Sequence, residues 1–285
     1  MMGVFSNNRF LKRVNTEIVR AKDDSGSSLN HPEIQKLMRQ MVDLDIADNL
    51  KLWVHNGLVK TRTSGSDLYV PKAYDISGEG NDAVQATEDN QPELVSLGME
   101  FDGSDDYLDC GTDDSLDISS QITVLGWVKA AFSVFQVVAA KQDFSAAPKR
   151  GWYLRKGYSG NTGFHVAVID VVGGNIVFKG YESLINVFDN NDYHHIGFTF
   201  SPNSLKLFHN GSEDTDANKR SDDEVNSINI NSDIEVLIGA YYGTSSQLDR
   251  HYNGTLNDIR IFNKALSATE ISAIFNATKG FYGIT

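Results

Sequence analysis

Cysteine is almost missing: Cys110 is the one among 285 residues, so no disulfide can close within the chain. Nor does any apolar run approach the ~20 residues of a helical membrane span. Positive charge is short as well, with 25 Lys and Arg against 38 Asp and Glu and a net charge of −13. That balance argues against nucleic acid as the main partner, because affinity for phosphate backbones comes largely from Lys and Arg displacing counterions. It argues equally against an anionic membrane surface. The first residues, Met1 to Phe10, show no continuous apolar stretch followed by a small-residue cleavage site, so the expectation is a chain made without export.

What is present suits a β-rich protein with many tight turns and enough apolar surface for a core: 40% hydrophobic residues, with 15 Phe, 11 Tyr and 24 Gly. Charge is unevenly spread. Residues 1–22 carry Arg9, Lys12, Arg13, Arg20 and Lys22 against Glu17, about +4, which leaves about −17 on the remainder. A positive segment on a negative body reads either as a device for docking onto an acidic partner or a neighbouring copy, or as a solvated terminus.

Phe10, Val14 and Ile18 recur at helical spacing, so one short helix is expected there. Pro32 is placed to open a second, in which Ile34, Leu37, Met38, Met41 and Val42 form one apolar stripe. Strands follow from Leu50 onward at the spacing of an all-β sandwich. In Ile122–Val128 both alternating faces are apolar, Val124 and Val128 on one and Leu125 and Trp127 on the other, so this strand should be central and covered twice. In the last strand the phase slips between Leu256 and Ile259, which predicts a bulge at Asn257 or Asp258. Ser267-Ala268-Thr269-Glu270 is a capping box, and Ile271, Ile274 and Phe275 give the closing helix its apolar face.

Three stretches carry a resemblance: Met99-Glu100-Phe101-Asp102-Gly103-Ser104-Asp105-Asp106-Tyr107-Leu108-Asp109, Tyr193-His194-His195-Ile196, and Asn253 to Ser267. Together they resemble a concanavalin A-like, laminin-G-type domain, and Asp75-Ile76-Ser77-Gly78-Glu79-Gly80-Asn81 looks like the turn after that family's opening strand. The resemblance implies a two-sheet antiparallel jelly-roll sandwich over residues 48–285; residues 1–47 lie outside it and, from their charge and helical spacing, read as a basic, helical docking arm. It also implies a structural Ca²⁺ between the early acidic turn and the penultimate strand, held by Asp102, Gly103, Asp106 and Asp258; the alternative is that Asp and Gly stand there because they suit tight turns. Aromatic and polar side chains for stacking on and orienting sugars are Trp152, Tyr153, Tyr158, Tyr241, Tyr242, Arg250 and Tyr252, which serve either as a binding rim or as ordinary sheet packing.

Glycosidases of this fold use Glu-x-Asp-x-x-Glu on a strand, and that motif is missing here. Glu100 and Glu235 are single strand carboxylates where hydrolysis needs a flanking pair, so catalysis is not expected. His194 and His195 have no acidic or Cys partner nearby and read as structural. A chain made without export, free of disulfides and bearing an adhesive-type domain on a basic arm resembles virion proteins of tailed bacteriophages. It would bind other virion proteins or its own copies through the arm, and host glycans through the sandwich. The alternative is a carbohydrate-binding module of a cell-surface protein.

Overall fold

A computed structural model describes residues 3–25, 32–130, 136–144, 150–157, 161–243 and 247–285. Three helices are found there: α1 (Gly3–Ser25), α2 (Pro32–Asp43) and α3 (Ala268–Thr278). The strands run, in chain order, β1 (Leu50–Val54), β2 (Val59–Ser64), β3 (Asp67–Ala73), β4 (Ala83–Val84), β5 (Glu93–Val95), β6 (Gly98–Asp102), β7 (Leu108–Asp109), β8 (Ile122–Ala130), β9 (Val137–Asp143) and β10 (Arg150–Lys156). They continue as β11 (Phe164–Val172), β12 (Asn175–Glu182), β13 (His194–Ser201), β14 (Ser204–His209), β15 (Ser212–Glu213), β16 (Asn218–Asp222), β17 (Leu237–Ile238), β18 (Tyr241–Tyr242), β19 (Leu248–Asp249) and β20 (Asn253–Phe262).

Antiparallel pairing builds one sheet in the order β14-β13-β8-β20-β6-β5-β3-β2, with β1 lying beside the C-terminal half of β20. The other sheet is β16-β12-β11-β10-β9-β17-β7-β4. A short pairing of β3 with β4 joins them at one edge. This is the expected two-sheet sandwich.

Alternation decides what fills it, because successive side chains leave a strand on opposite faces. Val124, Val128 and Phe198 of the first sheet meet Trp152, Leu154, Val166 and Val168 of the second in the main core. The first sheet is apolar on its outer face too, as β8 foretold: Leu50, Trp53, Leu125 and Phe262 lie under Phe10 and Val14 of α1, Leu37, Met38 and Met41 of α2, and Ile271 and Ile274 of α3. Trp127 stacks on Tyr282 at 4.0 Å between centroids and donates from Nε1 to Thr278 Oγ1 at 3.0 Å. The capping box forms in full, Ser267 Oγ accepting from the Glu270 N–H and the Glu270 carboxylate from the Ser267 N–H. All three helices therefore stand on one side of the sandwich. The second sheet's outer face carries none of them, and a groove lies there.

Candidate functional site

Cross-strand register sets a row of mostly small side chains across that outer face: Ala140 opposite Tyr153, Tyr153 opposite Ala167, Ala167 opposite Gly180, Gly180 opposite Ser221. Ala167 and Gly180 leave the floor low. A side chain in place of Gly180 would begin 3.2 Å from His165 Nε2 and 3.5 Å from the Ala167 Cβ. The resulting groove holds about 340 Å³ and is lined by Phe144, Tyr153, His165, Ala167, Phe178, Gly180, Arg220 and Ser221, which is in the size range of small-ligand pockets. One wall is aromatic: Phe144 lies 6.1 Å from Tyr153 and 5.6 Å, edge on, from Tyr241. The opposite wall is Phe178 and Arg220.

Charge is concentrated at one end. The Arg220 guanidinium pairs with Glu182, which is fully buried. The Arg155 guanidinium lies 5.2 Å over the Tyr153 ring, which also neighbours His165 at 5.3 Å. Burial, reinforced by the positive charges of Arg155 and Arg220, pushes the His165 pKa down to about 3, so this imidazole is neutral near pH 7.

Of the aromatic and polar residues expected at a sugar site, Tyr153 and Tyr241 belong to this groove and its wall. Trp152 does not: one residue from Tyr153, it points to the other side of β10 and packs in the core against Phe198 at 6.0 Å. Tyr252 is likewise a core side chain, between Phe101 and Phe188 at 6.2 and 6.4 Å. Tyr242 is half-buried, its hydroxyl pKa pushed up to about 12 by burial and by Glu235. Arg250 takes a left-handed turn with φ of +63° and pairs with Asp249 at 3.3 Å. Tyr158 lies outside the described residues. Phe144, His165, Phe178 and Arg220 were not foreseen. The signal for Phe178 and His165 was the alternation of β11 and β12, but only once the registry of the two strands is fixed does it set them on one face.

The acidic turn closes on its own backbone. One Asp102 carboxylate oxygen accepts from the Ser104 N–H at 2.8 Å and the Asp105 N–H at 3.4 Å; Asp106 accepts from the Asp102 N–H at 2.9 Å. Gly103, at φ +81°, packs where a Cβ would meet the Asn253 side chain at 2.7 Å. Carboxylate oxygens of Asp102, Asp105 and Asp106 lie within 4.8 Å of one another, a donor set that fits a hard cation such as Ca²⁺. Asp258 is not part of it. It sits in the predicted bulge with φ +53°, buried, gripping Arg260 through two 2.8 Å contacts and accepting from Trp53 Nε1 at 2.7 Å.

The basic N-terminal residues divide. Arg13 pairs with Glu79 at 3.1 Å, and Arg20 grips Asp82 through both carboxylate oxygens at 2.6 and 2.9 Å, so these two tie α1 to the chain's own β-domain. Lys12 is exposed on the outer side of α1 with Asn15, Thr16 and Val19. The side chains of Arg9 and Lys22 lie outside the described residues.

Residues 102–272 match the model of a family described as the concanavalin A-like lectin/glucanases superfamily. No curated protein matches the chain. Among solved structures, it is similar to the binding domain of Paraclostridial Mosquitocidal Protein 1, with a TM-score of 0.57 and 15% identity over 84% of this chain and 56% of that one. It is similar to the ligand-binding domain of botulinum neurotoxin serotype D, solved with N-acetylneuraminic acid, with a TM-score of 0.56 and 14% identity over 85% and 55% of the two chains. It is also similar to Trypanosoma rangeli sialidase solved with sialic acid, with a TM-score of 0.53 and 13% identity over 82% and 33%. The chain thus spans about half, or less, of the length of these structures, and identities this low show the fold alone.

Proposed function

Since the chain belongs to the concanavalin A-like lectin/glucanases superfamily, we propose that it is a carbohydrate-binding module without catalysis, and that sugar occupies the groove on the outer face of the second sheet. The observation that carries this reading is the groove itself: a low floor at Ala167 and Gly180 between half-buried rings, Phe144 and Phe178, suits the flat C–H faces of a pyranose, while Arg220 and Ser221 supply polar contacts. The non-catalytic half rests on the carboxylates. The acid beside the groove, Glu182, is fully buried and paired with Arg220, whereas glycoside hydrolysis needs two carboxyl groups flanking the scissile bond.

The finer placement, a virion protein of a tailed phage that touches host glycans, is supported by the outward stripe of α1, where Lys12 is exposed beside Val19, 56% exposed. A Ca²⁺ at Asp102, Asp105 and Asp106 would brace the turn between β6 and β7 and belongs to the same proposal.

Titration calorimetry against a panel of oligosaccharides tests the reading. Phe178→Ala should weaken the strongest ligand about tenfold with little change in melting, since the ring is half-buried. Undiminished binding in this variant, or polysaccharide cleavage that disappears on Glu235→Gln, would contradict it.

A further inference from the structure

Strand registry brings together a histidine pair that neither the groove nor the acidic turn uses. On β13, Ile196, Phe198 and Phe200 face the core, and His194, opposite the core residue Val128, shares their phase. His209 of β14 lies opposite Ile196, so the two histidines are diagonal neighbours on one face. Their rings meet, with His194 Nδ1 standing 2.9 Å from His209 Nε2. His195, one residue on, faces the other way and packs on Trp127 at 5.2 Å.

A carboxylate joins them from the next strand. Ser212 of β15 lies opposite His209, and the Asp214 N–H donates to the Leu207 carbonyl at 2.8 Å, which carries the pairing onward. Asp214 therefore falls on the same face as His209, and its charge acts on that ring. Its Oδ1 accepts from the Asp216 N–H at 3.2 Å, whereas Oδ2 is buried with no hydrogen-bond partner among the described residues. A buried carboxylate oxygen in this state calls for a donor or an ion. Asn190 holds the far side of His194, its amide oxygen 3.1 Å and its amide nitrogen 2.9 Å from Nε2. With the oxygen accepting from Nε2–H, Nδ1 carries the lone pair, which is how a neighbouring carbonyl sets a metal-ligating histidine.

We infer that His194 Nδ1, His209 Nε2 and an Asp214 oxygen form a site for a divalent transition metal such as Zn²⁺, since imidazoles with one carboxylate suit that class and not Ca²⁺. Two nitrogens about 2.1 Å from a tetrahedral ion stand roughly 3.4 Å apart, so the rings part by about half an ångström from their 2.9 Å contact and Asp214 turns toward them. The proton between the rings moves to His209 Nδ1, and the metal takes its place. Bound there, the ion clips β13 to β14 and to the chain beyond β15, at the edge of the sandwich. It enters from solvent, because His209 and Asp214 are half-buried and Asn190 is exposed. The site would hold its ion whether or not sugar fills the groove.

Zn²⁺ titrated by calorimetry into the chelator-stripped full chain, with Ca²⁺ in excess to occupy the acidic turn, tests the site. His209→Ala should weaken binding about a hundredfold, and Asp214→Asn and Asn190→Ala about tenfold each. Nitrogen NMR of the imidazole rings in the unaltered chain gives a readout that needs no variant: Zn²⁺ should shift His194 Nδ1 and His209 Nε2 and leave the His165 ring unmoved. Failure of Zn²⁺ to bind, binding that survives both His209→Ala and Asp214→Asn, or binding that leaves those two ring nitrogens unshifted would overturn the inference.

Discussion

Neighbouring residues with similar side chains have opposite fates here, and the cause is the two-residue period of a strand. Trp152 fills the core and Tyr153 walls the groove, yet both are aromatic, so sequence alone cannot say which faces out. Trp127 was legible, because Leu125 shares its phase and both faces of β8 are apolar. Trp127→Ala should cost about 3–5 kcal/mol, read as a lowered denaturation midpoint; an unmoved midpoint would contradict the stacking on Tyr282. Histidines set the response to acid. Burial holds His165 and His195 down to about 3, and burial and His194 hold His209 down to about 4. Below the ordinary histidine value near 6.5 the unfolded chain therefore takes up protons that the folded one refuses, and stability is lost as pH falls from about 6.5 toward 4. Asp106 acts in the opposite sense. Burial raises it to about 7, so its contribution declines as pH rises from about 4 to 7. Three histidines outweigh one aspartate, and melting in chelator should rise between pH 4 and 6.5. Added Ca²⁺ at pH 7.5 should then raise the melting point further, because the cation favours the Asp106 carboxylate; no gain would count against a cation in that turn.

Whole elements show where pattern suffices and where it fails. The bulge at Asn257–Asp258, the capping box at Ser267 and the apolar stripe of α2 were all readable, since each is a local rule written in a few consecutive residues. What Asp258 does there was not. The family resemblance, carried over by position, put it among the metal ligands, and only the fold reveals that Arg260 and Trp53 close over it. The N-terminal segment is a similar case. Its helical period was visible in Phe10, Val14 and Ile18, but α1 is a 23-residue helix lying along the sandwich rather than a short one. Phe10 and Val14 are fully buried over the first sheet's outer face, and Asp24 accepts from Tyr74 at 2.6 Å and Lys60 at 3.0 Å. Phe10→Ala should accordingly destabilise the β-domain by about 3–5 kcal/mol. A loose arm would show no such coupling in a urea melt.

On the scale of the molecule, the helices are the asymmetry that matters. They cover one sheet and leave the other's outer face to carry a groove, so the side of the protein available to a ligand is decided by where α1, α2 and α3 pack. The overall architecture was legible from three motifs and the rhythm of apolar residues. The groove was not, because Phe144, His165, Phe178 and Arg220 come from four separate strands or strand ends, and only registry brings them together. Backbone amide NMR titration of the isotope-labelled chain with the strongest ligand of the oligosaccharide panel is the most direct measurement. The account predicts that the shifts concentrate at Phe144, Tyr153, His165, Phe178 and Arg220. Shifts gathered instead at the turn of Asp102 to Asp106 or along α1, with these five residues unmoved, would contradict it.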